Sequence, residues 1–413
     1  MASVASSTTP AAVAPGRRAA RAVHLVGAGL SLALLALNGT LLWGRRPPPD
    51  LKAIAKLTDP SAVEAALKLR LARSPYDVET RRHLAMHYGQ TNRPRESAEA
   101  LALVPFFWPS KADALNFEGR QWLLAGYAAK AEQAFRAYLA DDPNHPVDKP
   151  QRDKAEVALI NVLSMEDRWD EVRELVWRIY DRVPPKDHRE PTIMALRTRL
   201  ERSSPAAALP TLRRYAEADP EDWQARRALA RASQATGDPA TADREGLAAI
   251  AAKPLDVAAR RDRLAVLEAR NDPKALLAAA AELPPESAND GATWAHRAWA
   301  HTQVGDLKAA VAAYREAARS LPFEPEIAYQ LSLVERRRGD ANAAEAARRR
   351  STLLRDARAP IPKLLTEFVD AADSPDPKQV AARDAAAWGL AERCRTLGWA
   401  RDAEAWARLP GEL

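Results

Sequence analysis

Apolar residues recur at helical spacing from Ser61 almost to Leu413. The clearest stretch is Thr293–Pro322, which reads as two amphipathic helices. Trp294 and Ala298 begin one apolar stripe, and Ala310, Tyr314 and Ala317 form a second. Gly305-Asp306 separates them. Glycine reaches the backbone angles that end one helix and let the chain reverse, and Pro322 ends the second helix. Ala62–Ala72 is expected to be a lone helix that caps the array with a polar outer face.

The hinges keep a period. Gly237-Asp238, Asn271-Asp272, Gly305-Asp306 and Gly339-Asp340 are spaced by 34 residues, as are Asn92 and Gly126. Asparagine is the best substitute for glycine where positive φ is needed. Helix-ending prolines keep the same step, at Pro109 and Pro143 and at Pro220 and Pro254, with Pro322 two periods further on. The spacing slips at His145–Pro150 and over about 356–377, where Lys363–Ala372 is expected to add a helix.

On these residues the chain resembles the tetratricopeptide repeat family, whose unit is a 34-residue helix–turn–helix. Residues 291–324 fit best, with Trp294, Ala298, Gly305, Ala310, Tyr314, Ala317 and Pro322 at signature places. Residues 112–145 follow, with Gly119, Trp122, Gly126, Ala131, Phe135 and Pro143. Residues 223–256 carry Leu229, Ala230, Gly237, Ala242, Ala249 and Pro254. Residues 325–358 carry Leu331, Ser332, Gly339 and Ala344, but have Arg348 where an aromatic is usual. Units near 78, 153, 189 and 257 are weaker, with Asn92, Asp167, Ser203 and Asn271 at their hinges. Leu390, Ala391, Gly398, Trp399, Ala403 and Trp406 look like a final, shortened repeat. The resemblance implies an all-α fold, a right-handed α-solenoid of about nine helix–turn–helix repeats over residues 61–413.

The N-terminal part follows another pattern. Residues 1–21 are Ala, Ser, Thr and Pro with arginines and no acid, and are expected to be a disordered basic tail. Residues 22–43 are uncharged over 22 positions, close to the ~20 apolar residues that span a bilayer as helix. Arg45-Arg46 closes the stretch, and Trp43 stands where an interfacial aromatic would anchor. A cleaved signal peptide would have a shorter apolar core and a small-x-small site. We therefore expect a single transmembrane signal-anchor helix, a Pro-rich linker at 44–60 and a body on the extracytoplasmic side of the inner membrane. Asn38-Gly39-Thr40 matches a glycosylation sequon by chance within that stretch.

Composition narrows the chemistry. The formal charge is +6, but residues 1–50 hold five arginines against Asp50, a net +4, so the rest nets only +2. That is no polyanion-binding signature, and no nucleic-acid partner is expected. Cys394 is the one cysteine, which excludes an internal disulfide, a CxxC pair or a cysteine zinc site. It is expected to be buried and inert. No phosphate-binding glycine loop, nucleophile elbow or metalloprotease motif occurs. His83 and His87 share a helix face but lack a third ligand. Acidic residues are scattered as in surface pairing. No catalytic residue, cofactor or metal is expected. Val104–Trp108 is the most apolar connection and is expected to pack under the next repeat.

In the family, first helices line a concave groove that holds extended peptides or a partner's helix. The matching places here are Arg82, Arg120, Arg197, Arg227, Arg231, Arg261 and Arg336, with Asn116, Asn161, Gln224 and Tyr329. Arginine offers a planar fork to carboxylates, so the groove is expected to favour acidic segments. The competing reading is a solvated face paired with neighbouring Asp and Glu. The Lys/Asn clamp of some co-chaperones in the family is not reproduced. The expectation is a non-catalytic, membrane-anchored scaffold for other proteins at a bacterial cell envelope. A periplasmic holding chaperone or translocon-associated factor, or a regulatory subunit of a membrane enzyme, are the alternatives.

Overall fold

The computed structural model describes residues 50–104, 111–140, 149–200, 204–284 and 290–412. The 22–43 segment, Ser203 and most of the Val104–Trp108 connection lie outside them. Among the described residues the regular structure is all helical, and no helix is long and apolar enough to cross a membrane. The chain divides into two compact units at His87/Tyr88.

In the first unit, α1 (Leu51–Ile54) and α2 (Pro60–Arg73) start on aspartates. Asp59 accepts from the Ser61 and Ala62 N–H groups, and Pro60 supplies a first-turn residue with no N–H to satisfy. The expected Ala62–Ala72 helix is α2. Beyond it, Arg70 bonds both Asp77 and Thr80, and Asp77 accepts the Thr80 N–H, which starts α3 (Val78–Gln90).

The second unit contains α4 (Pro94–Ala102), α5 (Lys111–Ala125), α6 (Ala128–Leu139), α7 (Lys149–Met165), α8 (Trp169–Arg182) and α9 (Arg189–Leu200). Then come α10 (Pro205–Ala218), α11 (Trp223–Ala235), α12 (Pro239–Ala252), α13 (Val257–Ala269), α14 (Pro273–Ala281), α15 (Gly291–Gln303), α16 (Leu307–Ser320) and α17 (Pro325–Arg338). The last are α18 (Ala341–Arg358), α19 (Ile361–Ala371), α20 (Pro377–Thr396) and α21 (Ala400–Glu412). The expected extra helix at Lys363–Ala372 is α19.

The described hinge residues take the left-handed conformation. Gly126, Gly237, Gly305, Gly339 and Gly398 have φ between 70° and 95°, and Asn92, Asp167 and Asn271 lie at 54–57°. Each hinge closes the same way: the following N–H reaches back five residues, as in Asp306 N to His301 O (3.0 Å), Asp238 N to Ser233 O (2.8 Å) and Trp399 N to Cys394 O (2.8 Å). This satisfies helix-end carbonyls that would otherwise be orphaned. In the Gly-Asp and Asn-Asp hinges the aspartate then caps the next helix: Asp238, Asp272, Asp306 and Asp340 accept from Thr241, Ala275, Ala309 and Ala343. First helices are capped by a second periodic set, Asp222, Asp256 and Asp290.

Small residues set the helix spacing. Ala298, Ala310 and Ala317 are fully buried around Tyr314. A Cβ on Gly119 would stand 2.7 Å from the Phe135 ring, so only glycine lets α5 lie this close to α6.

Two departures interrupt simple sequential stacking. First, α10 packs on α7 and α11 on α6. Gly126 lies against Ala218, and the Ala129 N–H donates to Asp222 at 3.2 Å. Second, the last helix, α21, packs on α9. Ile193 and Leu196 of α9 join a core with Leu354, Ile361, Phe368, Leu390, Cys394, Trp406 and Leu409. Ion pairs rim it, Arg199–Asp402 (2.9 Å), Arg401–Asp181 (2.7 Å) and Arg189–Asp373, with a hydrogen bond between His188 and Glu412 (3.0 Å). The physical reason is the apolar face of α9, which the C-terminal helices cover.

Cys394 sits inside this closure, and burial, assisted by the nearby Asp402 carboxylate, pushes its thiol up to about 12. Trp406 is fully buried, its ring edge-on to Phe368 at 4.9 Å. Trp406→Ala is expected to cost about 3–5 kcal/mol in urea unfolding, and to speed thiol-reagent labelling of Cys394 at least tenfold below the unfolding midpoint. Labelling as slow as in the parent chain would show that the closure does not depend on this packing.

Candidate partner surface

The seven arginines singled out from the sequence fall into different surroundings. Arg82, in the first unit, pairs with Glu79 on its own helix at 3.2 Å. In the second unit Arg120 is exposed beside the Phe117 ring, and Arg197 and Arg336 are exposed on α9 and α17. Arg227, Arg231 and Arg261, on α11 and α13, converge on Asp262.

Helical geometry produces that convergence. Arg227 and Arg231 are four apart and share one face of α11, and the neighbouring α13 presents Asp262 to them. Arg227 Nε lies 3.0 Å and Arg231 Nη1 3.8 Å from Asp262 Oδ2. Arg231 also pairs with Asp167 at the α7–α8 hinge, and Arg261 reaches Asp290 at 3.6 Å. Arg227 is buried, and Arg231 keeps 40% of its side chain exposed. Burial raises the Asp262 carboxyl above its usual range, against the lowering pull of Arg231, Arg227 and Arg261. A cavity of about 260 Å³ lies beside this cluster, lined by Asp167 and Arg231 with Met165, Leu212 and Ala228.

The other polar candidates scatter. Asn116 is buried and donates to Gln151 at 3.2 Å. Asn161 is exposed, Gln224 lies in the first turn of α11, and Tyr329 is covered by the Arg355 guanidinium at 4.7 Å. His83 is exposed and His87 buried. Among the described residues no group of three His, Cys, Asp or Glu side chains could hold a metal ion. Asp262, around which three of the arginines gather, was not singled out from the sequence. Its only signal there is an acid directly after Arg261.

This geometry defines the class: a tetratricopeptide-like array of helix hairpins with charged clusters between them. No family model and no curated protein matches the chain. Similar solved structures are helical-repeat proteins. A MamA fragment from Desulfovibrio magneticus RS-1 is 20% identical over 42% of this chain and 96% of its own, at a TM-score of 0.34. Human IFIT1 with m7Gppp-AAAA is 12% identical over 81% and 90%, at 0.39. The Cut9 complex with Hcn1, from the APC/C, gives 11% over 87% and 82%, at 0.36. At these scores the likeness carries nothing further, and the class rests on the hinges and hairpins of the chain itself.

Arg227→Ala is expected to lower stability by about 3 kcal/mol, because it strips a buried carboxylate of a partner. Adding Asp262→Ala should recover part of that loss, read as a coupling energy in a double-mutant cycle by urea denaturation. Strict additivity would show that the pair is not coupled.

Proposed function

We propose that the chain is a non-catalytic scaffold that holds acidic segments of other proteins against its first helices, and that residues 22–43 anchor it in the inner membrane with the body on the extracytoplasmic side. The observation that carries the binding part is the division among the arginines. Arg227 is committed to Asp262, whereas Arg120 and Arg336 are exposed on first helices. A guanidinium held on a rigid helix meets a carboxylate with little ordering cost to the protein.

The same division selects the variants. Charge reversal at Arg227 would damage packing as well as binding, so the informative changes are Arg120→Glu and Arg336→Glu. The pair is expected to lower recovery of co-purifying protein from native membranes at least threefold while leaving the thermal midpoint unchanged. Undiminished recovery would remove the acidic-segment reading.

The anchor is tested separately. The full chain is expected to stay in the pellet on alkaline extraction, and a reporter fused after Leu413 to be active only outside the cytoplasm. Release into the supernatant would remove the anchor, and a reporter active inside would reverse the topology.

A further inference from the structure

The junction between α6–α8 and the α10–α11 connection holds more buried negative charge than its cations can answer. Arg168 occupies the place that aspartate fills in the Gly-Asp hinges, and its side chain turns inward instead of capping α8. All five of its donors can be assigned. Nη1 reaches Glu132 and Glu166 (2.7 Å), Nη2 reaches Glu132 and Glu171 (both 2.8 Å), and Nε reaches Glu171 (2.7 Å). Arg136 adds bonds of 2.6 Å to Glu132 and to Glu171.

Glu166 receives one donor on Oε2, and its Oε1 is buried with no hydrogen-bond partner among the described residues. It faces Glu132 from α6, Arg168 from the start of α8, Asp222 from the cap of α11, and Tyr215 from α10, with the Arg214 guanidinium beside the Tyr215 ring; Arg168 carries Glu171 on its far side. Fully ionised, the three buried carboxylates Glu132, Glu166 and Asp222 would crowd around one buried guanidinium, Arg168, with Arg136 and Glu171 paired at the half-exposed rim. Asp222 is also the physical link across the junction, accepting the Ala129 N–H of α6 and the Gln224 and Ala225 N–H groups of α11. The cavity of about 260 Å³ opens beside Ser164 and Asp167 at the same seam, so the junction has room to relax.

We propose that this cluster is a proton-dependent clasp: a proton on Glu166 keeps the α10–α11 connection seated on the start of α6, and loss of that proton loosens it.

The directions of the neighbouring groups agree. Burial, then the Asp222 charge, push Glu166 up to about 8, against the pull of Arg168. Burial also raises Asp222, against its backbone bonds. Glu132 moves the other way: burial is outweighed by Arg168 and Arg136, which hold it below the usual range. A carboxyl raised in the closed state binds its proton more tightly there than when opened. The clasp is therefore strongest below about pH 4.5, the unperturbed value, and weakens up to about pH 8, then stays level. The opening constant rises by at most about tenfold per pH unit within that window. Glu132 acts with the opposite sign, and only at acid pH.

The experiment is hydrogen exchange of the full chain between about pH 5.5 and 8, corrected for intrinsic rates, in peptides covering Gly126–Ala131 and Asp219–Ala225. Protection there is expected to fall up to about tenfold per pH unit, while peptides of α15 and α16 keep theirs. Glu166→Gln should abolish the slope. Asp222→Asn, which retains a capping oxygen, should end the decline at a lower pH by removing the neighbouring charge, and it serves if Glu166→Gln does not fold. A wild-type junction whose protection ignores pH, a slope that persists in folded Glu166→Gln, or a decline in Asp222→Asn that ends at the same pH as in the parent, overturns the clasp.

Discussion

The fold depends on one backbone requirement, a left-handed residue at each described hairpin turn. A helix pair of this length cannot bury its own apolar stripe, so it must reverse tightly and present that stripe to a neighbour. The reversal uses positive φ, which glycine adopts freely and asparagine or aspartate tolerate. Gly305 and Gly339 have no heavy atom within 4 Å of where a Cβ would stand, so space does not demand glycine there. The dihedral angle does. At 238, 272, 306 and 340 the aspartate that follows the hinge residue caps the next helix, so over those four turns the dipeptide carries the period.

Stacking of such pairs is ordinarily a nearest-neighbour matter, with stability growing by roughly independent increments along the array. The second unit departs from that. The seating of α10–α11 on α6 and α7, and of α21 on α9, ties segments far apart in sequence, such as Ile193 with Trp406. The terminal apolar face that a linear array must cover with a polar cap is here covered by its own C-terminal helices. Opening any one hairpin in the circuit then disturbs more than its two neighbours, and unfolding becomes more cooperative. Long-range contacts of this kind also cost loop-closure entropy before they return energy, which slows folding relative to a linear array of the same helices.

Legibility in the sequence followed the range of the interaction. The turn at Asn271 and the extra helix at Ile361–Ala371 depend on residues within a few positions, and both are readable from spacing. The aspartate caps at Asp222, Asp256 and Asp290 share the 34-residue step but are masked by the abundance of acid in surface positions. The return of α21 onto α9 left no local mark. Ile193 and Leu196 look like any core stripe, and nothing near them says which helix will cover it. The arginine places were legible as positions only. Whether a guanidinium meets solvent, as at Arg336, or a buried carboxylate, as at Arg227, depends on an acid on another helix.

The two buried charge clusters bear on how such similar hairpins find one arrangement. Many of the pairs offer alanine-rich stripes, as around Tyr314, and apolar contact alone discriminates poorly among stripes of equal width. Replacing a buried ion cluster with apolar side chains is often neutral or stabilising, while removing one partner is costly. A cluster of this kind therefore does more to penalise wrong docking than to strengthen the right one. Arg168 fills all its donors only when α6 brings Glu132 and the α7 end brings Glu166, and Asp262 is matched only when α11 lies beside α13. The first cluster stands where the sequential stack gives way to the non-sequential one, the place where a register error would do the most damage. Charge selects the order there, and the alanine stripes supply the adhesion once that order is set.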